Sequence, residues 1–435
     1  MNDRHNSLSI LLVNYRFFVS GGPERYLFNF VKLLEEKGHQ IIPFSVKHPK
    51  NQSTEYSEFF LSPITSDENS VLLSQLRKNP RTLVRLFGRV FYSLEAKKNV
   101  KAIVDRADVN IAYCLNFLRW ISPSFITELY RARVPIIVRI SDFSYICPEA
   151  HLLRDGRVCE LCTKGRFSHS VRYKCVCNSF LLSFINFLSI LLHKQLKLLD
   201  KIDAFVCPSQ FTLERMAKAG FEKQKLFHVP TFVDSERIIP KFEPGNYILY
   251  FGRISHEKGI GVLLDAYEKL KGNKSKDSMP LYIVGKSYGK ETEQLKKRIH
   301  LSGNKKVKVL DEVEKDQLFQ IVGNSAFTIV PSIWYENMPN AILESFANGK
   351  PVVGSRIGSI PELVKHGETG LLFEPGDSDA LAEKMQWMID HPEDCSRMGQ
   401  NARALVEKKY NPELHYKGLM EIFESFHPKH DKCIS

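Results

Sequence analysis

The sequence predicts an α/β protein made of two doubly wound domains that face each other across a cleft. Two stretches of strand–helix alternation and the segment between them carry that expectation. The first stretch opens with an apolar run at 8–15, a Ser20-Gly21-Gly22 turn, a helix pattern and a second apolar run at 39–46. A strand–helix–strand unit of this kind begins a parallel sheet. The second stretch, from residue 247 onward, lays out six short apolar runs separated by helix patterns. Between the two, 232–245 contains Pro240 and Pro244 and reads as a linker.

Each element has a local reason. Pro23 at the first helical position, with Glu24 beside it, starts a helix that Gly38 ends near residue 37. Further strands are expected at 109–113 and 134–140. In the second half, strands are expected at 247–251, 281–284, 307–310, 326–330, 351–354 and 370–373. Helices fall between them at 260–270, 291–300, 315–322 and 339–348, the last opened by Pro339 and closed by Gly349. Two more helices are expected at 379–389 and 394–410. The domains are therefore 1–233, with a cysteine-rich insertion at about 145–178, and 234–411. A helix at 412–427 is expected to pack back on the first domain. In such sheets ligands lie beyond the carboxyl ends of the strands.

Composition narrows the class. The 435 residues are 43% hydrophobic and 25% charged, the mix of an ordinary globular chain long enough to bury full cores. Disorder, collagen and coiled coil are excluded as the main class. Lys and Arg number 61 against 49 Asp and Glu, leaving +12, which favours an anionic partner such as nucleotide phosphate or acidic lipid. Without an RNP, KH or helix-turn-helix pattern, no nucleic acid partner is expected. The run at 8–13 is too short for a signal peptide, and the longest apolar stretch, 180–192, is shorter than the roughly 20 residues of a membrane span. The expectation is a cytoplasmic protein, peripheral on the inner face of the plasma membrane.

The sharpest chemical signal is Tyr335-Glu336-Asn337-Met338-Pro339-Asn340-Ala341-Ile342-Leu343-Glu344. Glu336 falls in the loop before a helix begun by Pro339, and Glu344 lies roughly 7–8 Å along its axis at 1.5 Å per residue. The free N–H groups and positive dipole end between them suit a diphosphate. The two carboxylates suit sugar hydroxyls, which can donate to them. The second signal is Phe251-Gly252-Arg253-Ile254-Ser255-His256-Glu257-Lys258-Gly259, a strand-to-helix loop with two cations. Arg and Lys together can neutralise a diphosphate leaving group. No Asp-x-Asp pair of the kind that holds Mg²⁺ against a diphosphate is recognised, and no catalytic metal is expected.

These motifs, with Ile283 to Gly285, the run 331–353 and the run 358–377, resemble the retaining GT-B glycosyltransferases of glycosyltransferase family 4. The resemblance covers nearly the whole chain and is strongest from 247 to 377. It implies a GT-B fold and transfer of a sugar from a nucleotide-diphosphate donor to an acceptor hydroxyl with retention of configuration. It implies that Arg253 and Lys258 bind the diphosphate, Glu336 holds the donor sugar near the reacting carbon, and Glu344 binds the ribose. It also implies backbone contacts from Met338, Pro339 and Asn340, and close backbone approach at Gly21 and Gly22. The pathway implied is assembly of a surface polysaccharide or another glycoconjugate, on a saccharide or lipid-linked saccharide acceptor. Many family members carry a histidine before the Asp that follows the strand near Ile140. Here Ser141 takes that place and Asp142 is retained, so Asp142 is the local candidate for a catalytic contact, with a turn cap as the alternative.

Three features lie outside that scheme. Cys147, Cys159, Cys162 and Cys175 have spacings that suit a four-thiolate structural zinc; reduced thiols and a redox pair are the alternatives. Cys177 is the fifth cysteine of the cluster, while Cys114, Cys207, Cys395 and Cys433 are scattered. From 77 to 106, nine Lys/Arg accompany two acids, with Arg81, Arg85 and Arg89 on one helical face. The stretch 180–192 is followed by Lys194, Lys197 and Lys201. Both segments suit an anionic membrane surface or, equally, a helix with a solvated basic side. Rival functions are a sugar-nucleotide epimerase or phosphorylase on the same scaffold, and a non-catalytic zinc-stabilised binding protein.

Overall fold

The structure is a computed structural model that describes residues 7–64, 80–270, 278–287 and 289–427, with the backbone alone at 80–85. Two six-stranded parallel sheets form its framework. The N-terminal sheet comprises β1 (Ser9–Val13), β2 (Gln40–Phe44), β3 (Ile111–Cys114), β4 (Ile136–Arg139), β7 (Ala204–Cys207) and β8 (Leu226–His228), in the order β2-β1-β3-β4-β7-β8. A small antiparallel hairpin, β5 (Leu153–Arg154) with β6 (Arg157–Val158), sits in the cysteine-rich insertion. The C-terminal sheet comprises β9 (Ile248–Phe251), β10 (Leu281–Val284), β11 (Val307–Leu310), β12 (Phe327–Val330), β13 (Val352–Ser355) and β14 (Gly370–Phe373), in the order β11-β10-β9-β12-β13-β14. Strand order reverses between β1 and β3 in one sheet and between β9 and β12 in the other. A crevice opens at such switch points.

Both faces of each sheet are covered, as continuous apolar strands require. Along β1, Leu11 and Val13 enter one core and Ile10 and Leu12 the other, the period-two alternation of a strand. The final helix, Pro412–Phe426, packs Tyr416, Leu419, Met420, Ile422 and Phe423 into the second of these cores, against the N-terminal sheet. His415 fixes it there, with Nε2 at 3.0 Å from Tyr26 Oη and Nδ1 at 2.6 Å from the Pro230 carbonyl oxygen. Burial pushes this imidazole down to about 3, so it is neutral at physiological pH. The linker is also pinned. Arg403 donates to the carbonyls of Ser235 and Ile238, and Lys350, fully buried, donates to that of Glu243.

Two expectations need correction. The helix expected to start at Pro339 spans Asn340–Ala347, and Pro339 is its N-cap with ψ 109°, because its ring suits the extended entry as well as the first turn. The basic stretch is two helices, Pro80–Phe91 and Leu94–Arg106. Arg89 does not lie on an open basic face. It is buried, and donates to the carbonyls of Trp120 and Ser62 and to Glu95. Arg81 and Arg85 carry side chains outside the described residues, and Arg77 and Cys433 lie outside them altogether.

Candidate active site

A cleft of about 660 Å³ runs between the carboxyl ends of the two sheets. Gly21, Gly22 and Asp142 line it from the N-terminal domain. Arg253, Lys258, Glu336, Met338, Pro339, Asn340 and Glu344 line it from the C-terminal one. Residues as far apart in sequence as Gly22 and Asn340, 318 positions, thus meet because the loops that follow the strands gather at the same place.

Glu336 follows β12 and is 4% exposed. Lys258 Nζ lies 2.7 Å from its Oε1, and the same oxygen accepts from Trp334 Nε1 at 2.9 Å and from the Ser332 hydroxyl. Burial alone would raise this carboxyl's pKa. The Lys258 charge and the hydrogen bonds from Lys258, Ser332 and Trp334 outweigh it, so the pKa is lowered and Glu336 is ionised at neutral pH. Arg253 is paired in turn with Glu257, which also accepts from Ser255 Oγ at 2.8 Å. The Arg253 Nε is buried without a hydrogen-bond partner among the described residues. Both cations are thus held beside carboxylates in the cleft that the first residues of the helix Asn340–Ala347 also line. Trp334 neighbours both, with its ring centroid 5.1 Å from Lys258 Nζ and 5.9 Å from the Arg253 guanidinium carbon.

Gly259 sets this loop. Its φ is +73°, and a Cβ there would stand 1.8 Å from the Pro331 carbonyl oxygen. Backbone, not a movable side chain, fills the space. Gly259→Ala is therefore expected to cost at least about 2 kcal/mol in urea unfolding, through left-handed strain plus the clash. It should also lower transfer at least tenfold by moving Lys258. A variant within 0.5 kcal/mol of wild type would contradict this account.

The helix start is open to a ligand. Its N-cap residue, Pro339, makes no side-chain cap hydrogen bond, and Asn340 and Ala341 both line the cleft. Asn340 Nδ2 donates to the Gly22 carbonyl at 3.1 Å, which ties the glycine turn to this helix across the cleft. Glu344 is buried one turn further in. Burial raises its pKa, partly offset by Arg25, whose Nη1 is 3.6 Å from Oε1, and by Lys315. A hydroxyl donor could reach it beside Arg25.

On the N-terminal side, Asp142 Oδ1 accepts from the Ser144 N–H at 2.9 Å, a turn cap, while the residue still lines the cleft. Ser141 Oγ is buried there without a hydrogen-bond partner among the described residues. His151 also lines the cleft, although the sequence reading did not select it. Its ring stands edge-on to Trp334 at 5.0 Å, and burial lowers its pKa. Arg119 and Arg25 were missed likewise. Trp334 had a usable signal, an aromatic two residues before Glu336; His151, Arg119 and Arg25 had none, since only the fold brings them here.

The insertion cysteines lie outside the cleft. Burial pushes Cys162 up to about 12 and Cys175 to about 11, and both also feel repulsion from Cys147 and Cys159. The four thiols are therefore neighbours. As placed, however, they do not form a coordination site: among the described residues no group of three or more Cys, His, Asp or Glu side chains is arranged to hold a metal ion. Cys114, Cys207 and Cys395 are buried thiols in the domains. The chain does contain one Asp-x-Asp, Asp377-Ser378-Asp379, but it lies away from the cleft. Asp377 caps the helix Ser378–Asp390 and Asp379 pairs with Lys269 at 2.7 Å.

Residues 233–405 match the family model of the Glycosyl transferases group 1. That domain carries Arg253, Lys258, Glu336 and Glu344. Within 184 residues the chain is 31% identical to the amylovoran biosynthesis glycosyltransferase AmsK of Erwinia amylovora, covering 41% of this chain and 44% of that protein. Within 171 residues it is 30% identical to the D-rhamnosyltransferase WbpZ of Pseudomonas aeruginosa, covering 39% and 41%. The chain thus spans less than half the length of these relatives. Among solved structures, Anabaena Alr3699/HepE in complex with UDP and glucose superposes with a TM-score of 0.65 at 17% identity, over 96% of this chain and 100% of that one. Sucrose-phosphate synthase from Thermosynechococcus elongatus gives 0.68 at 17%, over 96% and 98%. The fold is GT-B, two parallel six-stranded α/β domains around a cleft.

Proposed function

We propose that this chain is a glycosyltransferase. It would move a sugar from a nucleotide-diphosphate donor to an acceptor hydroxyl, with retention of configuration, in the assembly of a surface polysaccharide or related glycoconjugate. One observation carries the reading: Arg253, the Lys258–Glu336 pair and the first residues of the helix Asn340–Ala347 line one cleft. The group 1 match over the same residues supports it.

In this reading the donor diphosphate competes with Glu336 and Glu257 for the two cations. Arg253 offers a fork, including its unpartnered Nε, and Lys258 a point charge. Glu344 accepts from the ribose hydroxyls. The bond from the anomeric carbon to the phosphate oxygen breaks, and the bond to the acceptor oxygen forms on the same face. The acceptor's proton passes to the departing phosphate. Glu336 holds the sugar and opposes the positive charge that develops at the anomeric carbon. Its lowered pKa and three converging donors suit a fixed negative charge rather than a base or a nucleophile. Asp142 and the backbone of Gly21 and Gly22 face this centre from the other domain.

Incubation with a panel of UDP-, GDP- and ADP-sugars tests the reading. Transfer to an added saccharide or lipid-linked saccharide, with the product's anomeric coupling matching the donor's, is the expected result. An isomerised donor would indicate an epimerase instead, and binding without product a non-catalytic protein.

Zinc in the insertion is a separate proposal, supported by the C-x-x-C spacing and by the proximity of Cys147, Cys159, Cys162 and Cys175. Binding would require the thiols to ionise and turn toward one centre. Purified protein is expected to hold about one zinc per chain. Less than half an equivalent by elemental analysis retires the idea.

A further inference from the structure

The helix Phe180–Gln195 has its polarity inverted. Its buried residues are Ser183, Ser189 and His193. Ser183 Oγ donates to the Ser179 carbonyl and Ser189 Oγ to that of Asn186, while His193 Nε2 lies 2.7 Å from the Phe91 carbonyl on the helix packed beside it; Asn186 Oδ1 is buried with no hydrogen-bond partner among the described residues. The opposite side, toward solvent, is apolar. Phe180 is 58% and Leu181 63% exposed, and Phe184, Leu188 and Leu191 continue the row at successive turns. Phe87, on the packed helix Pro80–Phe91, adds a further exposed ring. Single exposed apolar residues need no explanation, but a contiguous row on one helix does.

The charge around this row identifies what covers it. Between Glu160 and Asp200 the chain has no acidic residue. Lys164, Arg166, Arg172 and Lys174, before the helix in sequence, and Lys194 and Lys197, at its C-terminal end, fall in that interval, all exposed. A second copy of this chain packed two-fold on this face would set one basic cluster against another. An anionic bilayer instead meets the cations with phosphate and accepts the side chains among its acyl chains. With 16 residues the helix is about 24 Å long, suited to lie in the interface plane. Among the described residues no helix is long and apolar enough to cross a membrane.

We propose that the outer face of the helix Phe180–Gln195 docks this protein on an anionic lipid surface, with Phe180, Leu181, Phe184, Leu188 and Leu191 inserted and Lys194 and Lys197 on headgroup phosphate. The inference stands apart from the sugar-transfer reading, and its test needs no turnover. The full chain is mixed with vesicles of phosphatidylcholine containing 30% phosphatidylglycerol, or of phosphatidylcholine alone, and the bound fraction is read by sedimentation. Strong partition to the anionic vesicles, weakening with salt, is expected. The double variant Leu181→Glu, Phe184→Glu should lower it at least tenfold, and Lys194→Glu, Lys197→Glu should abolish the preference for anionic lipid. The second pair keeps the test valid if the first disturbs folding, which circular dichroism melts report. Equal partition to both vesicle types overturns the proposal. So does unchanged binding by the charge variant, or wild-type protein that is dimeric by light scattering and becomes monomeric in the variants.

Discussion

Glu336→Ala is expected to lower kcat about 1000-fold while leaving a folded protein. At about 1.4 kcal/mol per factor of ten, this corresponds to about 4 kcal/mol of lost transition-state stabilisation. The size follows from where the charge sits. Glu336 is 4% exposed, so its field at a cationic anomeric carbon is screened little by water. Its orientation is fixed by Lys258, Trp334 and Ser332, so no reorganisation is needed when charge develops. The loss should appear in kcat more than in KM, because the carboxylate meets a neutral sugar in the ground state and a positive one in the transition state. Glu336→Gln separates charge from shape. It keeps an oxygen for the Trp334 and Ser332 donors but removes the charge, so it should lose nearly as much activity. Wild-type turnover in both variants would remove Glu336 from the mechanism.

The parts of this site that were legible in the sequence are those in which local backbone demands coincide with chemistry. Gly259 must adopt a left-handed turn against Pro331, and the lysine before it is carried along. Pro339 marks a helix start whether it is the cap or the first residue, so Glu336 and Glu344 could be placed on either side of it without knowing which. Parallel strands, buried on both faces, announced themselves as short apolar runs, and their carboxyl ends located the loops. What stayed hidden depends on which loops the topology brings together. His151 reaches Trp334 from the insertion, and Arg25 reaches Glu344 from the first helix of the other domain. No spacing encodes either meeting. The pairing of Arg253 with Glu257, and of Lys258 with Glu336, was equally invisible. A loop with two cations reads as a phosphate clamp, but the carboxylates that hold those cations ready lie four residues away in one case and 78 in the other. Arg89 shows the reverse error. Helical spacing put it on a basic face, whereas the fold turned it inward onto three acceptors.

Lys258→Ala tests the same pair from its other side, and here the expected effect falls on stability as well as on transfer. In the wild type, burial raises the Glu336 pKa and the Lys258 charge and hydrogen bonds bring it below 4.5. A lowered folded-state pKa means that Glu336 stabilises the fold above about pH 4.5 and loses that contribution as pH falls through its folded pKa. Without Lys258, the strongest influence left is burial, and the folded-state pKa rises above 4.5. The sign then reverses: the group favours folding below about pH 4.5 and opposes it as pH climbs through the raised value. The deficit of Lys258→Ala relative to wild type should therefore be small at pH 4 and widen toward pH 7. There it should reach about 3 kcal/mol, the lower end for an uncompensated buried charge, because the Lys258 side chain is itself 23% exposed. Urea unfolding of both proteins from pH 4 to pH 8 measures this directly. Transfer should fall at least a hundredfold at neutral pH, through loss of the diphosphate partner. A deficit that stays constant across that range would mean that Lys258 does not hold the carboxylate ionised.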